Sequence, residues 1–135
     1  AMMVCECAAW AAEQGLTLYQ LMQEIYKEYG YRKEGLVSVV RKGISGAQEI
    51  QKMMSGLRSN PPKELCGSPV CRVVDYLEPE KTGQPSSNVL QFFDEAGDVV
   101  SVRPSGTEPK IKFYFGAKGD DADAKIEALK KQFCA

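Results

Sequence analysis

The sequence contains no histidine, no Cys-x-x-Cys pair and no excess of charge of either sign. Each absence excludes something. Without histidine or paired cysteines the chain is not expected to build a structural zinc site. The five cysteines, Cys5, Cys7, Cys66, Cys71 and Cys134, are odd in number and irregularly spaced. Reduced thiols in a cytoplasmic protein are the simpler reading, and it disfavours the one pair, Cys66 and Cys71, that could close a loop. A formal net charge of −1 gives no global field to attract nucleic acid or acidic membranes, so any anion site must be local. The apolar opening, residues 1–12, has no basic leader region, carries Glu6 and is too short to span a bilayer, so neither a signal peptide nor a membrane anchor is read in it. There is also no internal repeat and no low-complexity segment, and the carboxylate-rich Asp120-Asp-Ala-Asp123 reads as a helix start rather than a metal loop.

What is present suits an ordinary globular protein: 135 residues, 44% hydrophobic and 26% charged, enough for one domain or one domain with an appendage. The stretch that organises the rest is 99–115, Val-Val-Ser-Val-Arg-Pro-Ser-Gly-Thr-Glu-Pro-Lys-Ile-Lys-Phe-Tyr-Phe. Two strand-like runs flank a loop that opens on Arg103 and closes on Lys110. The second run alternates, with Lys110, Lys112 and Tyr114 to one side and Ile111, Phe113 and Phe115 to the other, the pattern of a sheet with one buried face.

The chemistry of the loop is that of an oxyanion cradle. Arg103 is a planar fork that can hold phosphate through two parallel hydrogen bonds. Ser105 and Thr107 offer hydroxyls. Gly106 between them permits φ > 0, which would turn backbone N–H groups inward as a nest. Pro104 and Pro109 stiffen both ends. Lys110 and Lys112 add positive charge. Glycine, serine and proline are also ordinary turn formers, so on composition alone a plain turn remains the alternative.

The chain before the loop reads as follows. Residues 1–14 form an alanine-rich helix apolar on most faces, which predicts burial on most faces and a partner surface beyond this segment. Thr17 and Gln20 fit a capping box ahead of an amphipathic helix with Leu18, Leu21, Met22, Ile25 and Tyr29, stopped at Gly30. Residues 31–35 read as a polar hinge and domain boundary. Residues 36–41 are a short strand. Ser45 and Gln48 fit a second capping box, before a helix with Ile50, Met53, Met54 and Leu57 on one stripe. Residues 70–77 are a strand of ambiguous facing, 78–87 a surface loop, and 89–93 and 99–102 a hairpin around Gly97. Asp120 and Asp121 start a last helix with Ala122, Ile126, Leu129 and Phe133 inward. The expected fold is α+β: an antiparallel four- to five-stranded sheet with two helices on one face, preceded by one or two N-terminal helices.

The string Arg103-Pro-Ser-Gly-Thr-Glu-Pro-Lys110 resembles the phosphate-binding loop of the α-D-phosphohexomutases, the phosphoglucomutase/phosphomannomutase family. The resemblance extends to Ser87-Asn-Val-Leu-Gln-Phe92, the Gly97 hairpin and the closing helix, and covers the whole chain. It implies a C-terminal piece of a longer polypeptide, with residues 1–35 as the last helices of a third domain plus hinge and 36–135 as the fourth domain. A chain that does not begin with methionine and opens inside a helical pattern agrees with that expectation. The resemblance implies that Arg103, Ser105, Gly106 and Thr107, helped by Lys110, grip the phosphate that is not being transferred. The substrate would be a hexose phosphate, interconverted between 1- and 6-phosphates through a hexose 1,6-bisphosphate. It implies Mg2+ and a phosphoserine supplied by domains 1–3 of the same polypeptide, and no catalytic residue or metal ligand in this segment. Alone, the segment is expected to be inactive. Two other readings stand beside it. A nucleic-acid-binding module would use Lys110, Lys112 and Tyr114, and near-neutral charge argues against it. A protein-interaction module would dock through the apolar first helix.

Overall fold

The computed structural model describes residues 1–41 and 43–134, which form two compact units, Ala1–Arg32 and Lys33–Ala135. The first holds α1 (Met2–Glu13) and α2 (Leu18–Tyr29). The capping box at the start of α2 is present: Thr17 Oγ1 accepts from Gln20 N at 3.2 Å, and Gln20 Oε1 accepts from Thr17 N at 2.8 Å. Gly30, at φ 86°, ends the helix in a conformation glycine adopts without strain. Two twelve-residue helices cannot enclose each other. Ala11 is the buried residue of α1, while Met2, Met3, Val4 and Trp10 are more than half exposed.

The second unit is one six-stranded sheet in the order β1-β6-β5-β4-β3-β2. Its strands are β1 (Arg32–Val40), β2 (Glu64–Leu65), β3 (Ser68–Asp75), β4 (Leu90–Asp94), β5 (Val99–Pro104) and β6 (Lys110–Lys118). Its helices are α3 (Ile44–Ser59), the single-turn α4 (Pro79–Thr82) and α5 (Ala122–Cys134). The α+β class and the antiparallel ladders are as expected. The strand count is one higher, because the two-residue β2 lies in a stretch that reads as a connection.

Alternation divides the sheet into two faces. Leu90, Phe92, Val100, Val102, Ile111, Phe113, Phe115 and Ala117 point to the helix side, where they meet Ile50 and Met54 of α3 and Ile126 and Leu129 of α5, all buried. Phe133 lies 6.2 Å from each of Phe92, Phe113 and Phe115 by ring centroid, within the range of favourable aromatic packing. The other face carries Arg72, Val74, Gln91, Phe93, Ser101, Arg103, Lys110, Lys112 and Tyr114. The facing of β3 follows from its register: Arg72 and Val74 pair with Phe93 and Gln91 of the open face, Val73 and Asp75 with Phe92 and Leu90 of the core face.

Three local expectations are corrected. Residues 32–35, read as a hinge, are the first part of β1. The strand tolerates Gly35 because a Cβ there would press on Ile126 Cγ2 of α5 at 2.8 Å. Ser45 does not cap α3: it lies inside the helix, and Gly43 at φ 83° is the N-cap, with no side-chain cap bond. The surface loop at 78–87 contains α4. Two charged groups pin the unit together. The buried Asp98 carboxylate accepts from Lys118 N at 2.8 Å and stands 3.2 Å from Lys125 Nζ of α5. Asp75 is held by Arg58 of α3.

Candidate functional site: a cationic loop between β5 and β6

The period of β5 puts Val100 and Val102 in the core and therefore Ser101 and Arg103 on the open face. The period of β6 puts Lys110 and Lys112 on that same face, with Ile111 and Phe113 inward. Register makes Arg103 and Lys112 direct cross-strand partners. Among the described residues no carboxylate lies within 4 Å of either cation.

The loop between them is closed by its own backbone. Ser105 N donates to the Lys110 carbonyl at 2.7 Å, and Lys110 N to the Glu108 carbonyl at 2.7 Å around Pro109. It is also held from outside, since the Pro109 carbonyl accepts from Arg41 N, just past β1, at 2.9 Å. Arg41 in turn is fixed by the start of α3. Gly46 is buried there, and any Cβ on it would collide with the Arg41 carbonyl. The loop is therefore docked on the β1–α3 corner through one backbone residue.

One expectation about this loop changes. Gly106 is not in the left-handed region, so no αL nest forms. The reason is visible at Ser105. Its hydroxyl oxygen accepts from Glu108 N at 3.3 Å and, at the 3.5 Å limit, from Thr107 N, taking the donors a nest would present. A Cβ on Gly106 would meet nothing within 4 Å, so neither sterics nor backbone angle within the fold demands glycine there. Glu108 is the counter-ion of Lys110: their charged atoms stand 2.5 Å apart. That hydrogen bond and the ammonium charge, with Lys112 nearby, hold the Glu108 carboxyl below the usual carboxylate range. The signal was available in the sequence, since residues two apart in an extended segment share a side.

The five residues singled out divide between two neighbouring surfaces. Ser105, Gly106 and Thr107 line a cleft of about 620 Å³ facing Ala47 and Gln51 of α3, whereas Arg103 and Lys110 do not line it. The two cations stand on the open face instead, beside Lys112. A second cavity of about 510 Å³, between Met53 and Leu57 of α3 and Phe133 of α5, contains no charged group. Among the described residues no three of Cys, Asp and Glu come together as a metal site. The residues present do not fit the magnesium that the resemblance implies, Asp121 and Asp123 at the start of α5 included. All five cysteines are free. Among the described residues no helix is long and apolar enough to cross a membrane.

Comparison with known proteins gives the following. Residues 66–132 match the sequence profile of the phosphoglucomutase/phosphomannomutase C-terminal domain. A probable phosphomannomutase of Haemophilus influenzae is 40% identical over 109 residues, which cover 81% of this chain and 21% of that protein. A phosphoglucomutase of Staphylococcus aureus is 37% identical over 129 residues, covering 85% of this chain and 23% of that protein. The chain thus spans about a fifth of these relatives' length. In fold it is similar to the crystal structure of the exocytosis-sensitive phosphoprotein parafusin, a phosphoglucomutase from Paramecium, in its open form. That TM-score is 0.55 at 16% identity, over 86% of this chain and 21% of the other.

Proposed function

The chain belongs to the phosphoglucomutase/phosphomannomutase family, of which it carries the C-terminal domain, and from that premise we propose that the 103–110 loop grips the phosphate of a hexose phosphate that is not being transferred. The observation that supports this reading is the juxtaposition of Arg103 and Lys112, two cations face to face without a carboxylate on either. A dianionic phosphate is the kind of group that relieves such a pair.

In this proposal the ligand oxygens replace Ser105 Oγ as acceptors for the Thr107 and Glu108 amides. The Ser105 hydroxyl then rotates to donate to the ligand. Arg103 supplies a bidentate contact, and Lys110 turns from Glu108 toward the phosphate. The open space beside Gly106 lets the ligand approach the backbone without meeting a side chain. The loop reads phosphate and not sugar. That suits interconversion of 1- and 6-phosphates through a hexose 1,6-bisphosphate, in which either phosphate must occupy the same grip. Phosphoryl transfer depends on positioning and charge neutralisation, and the loop contributes those two things only. The nucleophilic phosphoserine, the magnesium and the groups that read the sugar belong, in this proposal, to other domains of a longer cytoplasmic polypeptide. Those domains also cover the exposed apolar residues of α1. The second unit then acts as a hinged clamp over the substrate.

By itself the chain is expected to be inactive and to bind phosphate at millimolar strength at best. Three charge-assisted bonds of about 1.5–3 kcal/mol each must offset at least roughly 4 kcal/mol of association cost. The test is Arg103→Ala in the complete enzyme. Losing one such contact lowers kcat/KM by about 10- to 100-fold; an unchanged kcat/KM removes the clamp role.

A further inference from the structure

The outer edge of β3 forms a second polar site. β2 pairs only with Ser68 and Pro69, so Arg72–Asp75 has no strand on its outer side. Instead, the connection from β3 to β4, residues 76–88, lines with Arg72–Asp75 and Gln91 a pocket of about 470 Å³, a volume suited to a small metabolite. The connection is fixed at both ends. Ser87 N donates to the Tyr76 carbonyl at 2.9 Å, Leu77 N to Asp75 Oδ1 at 3.0 Å, and Arg58 Nη2 to Asn88 Oδ1 at 2.6 Å. The pocket is therefore preformed.

Its polar inventory is lopsided. Asp75 is largely occupied, by Arg58 on both oxygens and by the Leu77 amide. Thr82 Oγ1 donates to the Glu78 carbonyl and accepts from Gln84 N. What remains is mostly donors. Lys81 uses one N–H on Glu78 and keeps two; Gln91 uses one on Ser101 and keeps one. Arg72 is stacked over the Phe93 ring with its guanidinium carbon 4.1 Å from the centroid. It has no carboxylate within 4 Å among the described residues. All five of its N–H groups are available in an orientation the ring already restricts. The free side-chain acceptors are few: the second Glu78 oxygen, one lone pair on Gln91 Oε1 and the Tyr76 hydroxyl oxygen, whose proton goes to Gln91.

We propose that this pocket is a binding site for a phosphomonoester bearing hydroxyl groups, its phosphate on Arg72 and Lys81 and a hydroxyl on Glu78 or Tyr76. A phosphate presents three acceptor oxygens, which a donor-rich pocket can use and a carboxylate's two cannot fill. The site shares no lining residue with the 103–110 loop and stands whether or not that loop grips substrate.

The experiment is a titration of the isotopically labelled 135-residue chain with glucose 6-phosphate at constant ionic strength, read by backbone amide shifts. Sodium gluconate and glucose are run in parallel. Saturable shifts of the Arg72–Tyr76 and Lys81–Gln84 amides are expected with glucose 6-phosphate only. Arg72→Gln should weaken that response at least tenfold, Lys81→Gln should weaken it less, and Arg103→Ala should leave it intact. Shifts confined to the 105–110 amides would overturn the site while sparing the loop reading. Pocket shifts that survive Arg72→Gln, or that gluconate or glucose reproduces, would overturn it as well.

Discussion

Arg103 on β5 and Lys112 on β6 are cross-strand partners, so the sheet holds two cations side by side on its open face. Directly opposed residues have Cβ atoms about 5 Å apart, and like charges at that spacing are destabilising. The free protein therefore carries a small electrostatic strain that a bound oxyanion would release.

Lys112→Thr should consequently raise stability in low salt, by about 0.2–1 kcal/mol on the scale of cross-strand pairs. The gain should disappear near 1 M salt, where the screening length falls to about 3 Å. Urea unfolding at both salt concentrations measures it. The same variant should gain less stability from added phosphate than the natural sequence does. A variant less stable than the parent in low salt would show that the pair is not repulsive.

Glu108 bears on the opposite side of the balance. Its carboxylate already neutralises the Lys110 ammonium at 2.5 Å, on a loop that is largely exposed. An incoming phosphate must compete for that ammonium. Glu108→Gln removes both the competitor and a repulsive negative charge. Exposed pairs of this kind are weak, so phosphate affinity should rise by no more than a few-fold at pH 7. Calorimetric or amide-shift titration would detect it, and weaker binding by the variant would mean that the carboxylate contributes to the grip.

The docking of the loop on the β1–α3 corner gives a comparison within one helix. Gly46 and Gly56 both lie in α3. A methyl group at Gly46 runs into the Arg41 carbonyl, while one at Gly56 meets nothing within 4 Å. Gly46→Ala should destabilise by about 1–3 kcal/mol through overpacking. It should also speed hydrogen exchange at the Arg41 amide, which is bonded to Pro109. Gly56→Ala should stabilise by about 0.5–1 kcal/mol through helix propensity and a less flexible unfolded chain. Equal effects from the two substitutions would remove the steric argument.

The parts of this fold that are legible in the sequence are those where local pattern and tertiary environment agree. β6 alternates because one face meets Phe133 and Ile126 and the other does not, so its period survives intact. Thr17 and Gln20 cap α2 through contacts made entirely within four residues. Illegible features depend on partners distant in the chain. Gly35 reads as a hinge until Ile126, from α5, fills the space where its Cβ would be. Ser45 reads as an N-cap, but Gly43 takes that place. The residues of the loop were evident, yet their arrangement was not. Whether Ser105 offers its hydroxyl outward or ties up the 107 and 108 amides is decided by backbone angles that composition does not encode.

Asp75 provides a test of how the connection from β3 to β4 is anchored. Burial alone would raise its carboxyl pKa, but the Arg58 guanidinium at 2.7 Å, the Leu77 amide at 3.0 Å and the guanidinium charge together outweigh burial and lower it. A carboxylate whose folded pKa lies below its unfolded value stabilises the protein above the unfolded value, about 3.9. That contribution is lost as pH falls through the lower folded value. Asp75→Asn should therefore unfold more easily at pH 7, by about 1–3 kcal/mol for a part-buried charge-assisted pair, because Arg58 is left without its carboxylate. The gap between variant and parent should stay constant from pH 7 to about pH 5 and narrow steadily below about pH 4 as the parent's carboxylate is protonated. Urea midpoints measured across that range decide the matter. A gap independent of pH would mean that Asp75 acts by shape and hydrogen bonding alone, and the Leu77 amide, which should lose protection in the variant, would then exchange as slowly as in the parent.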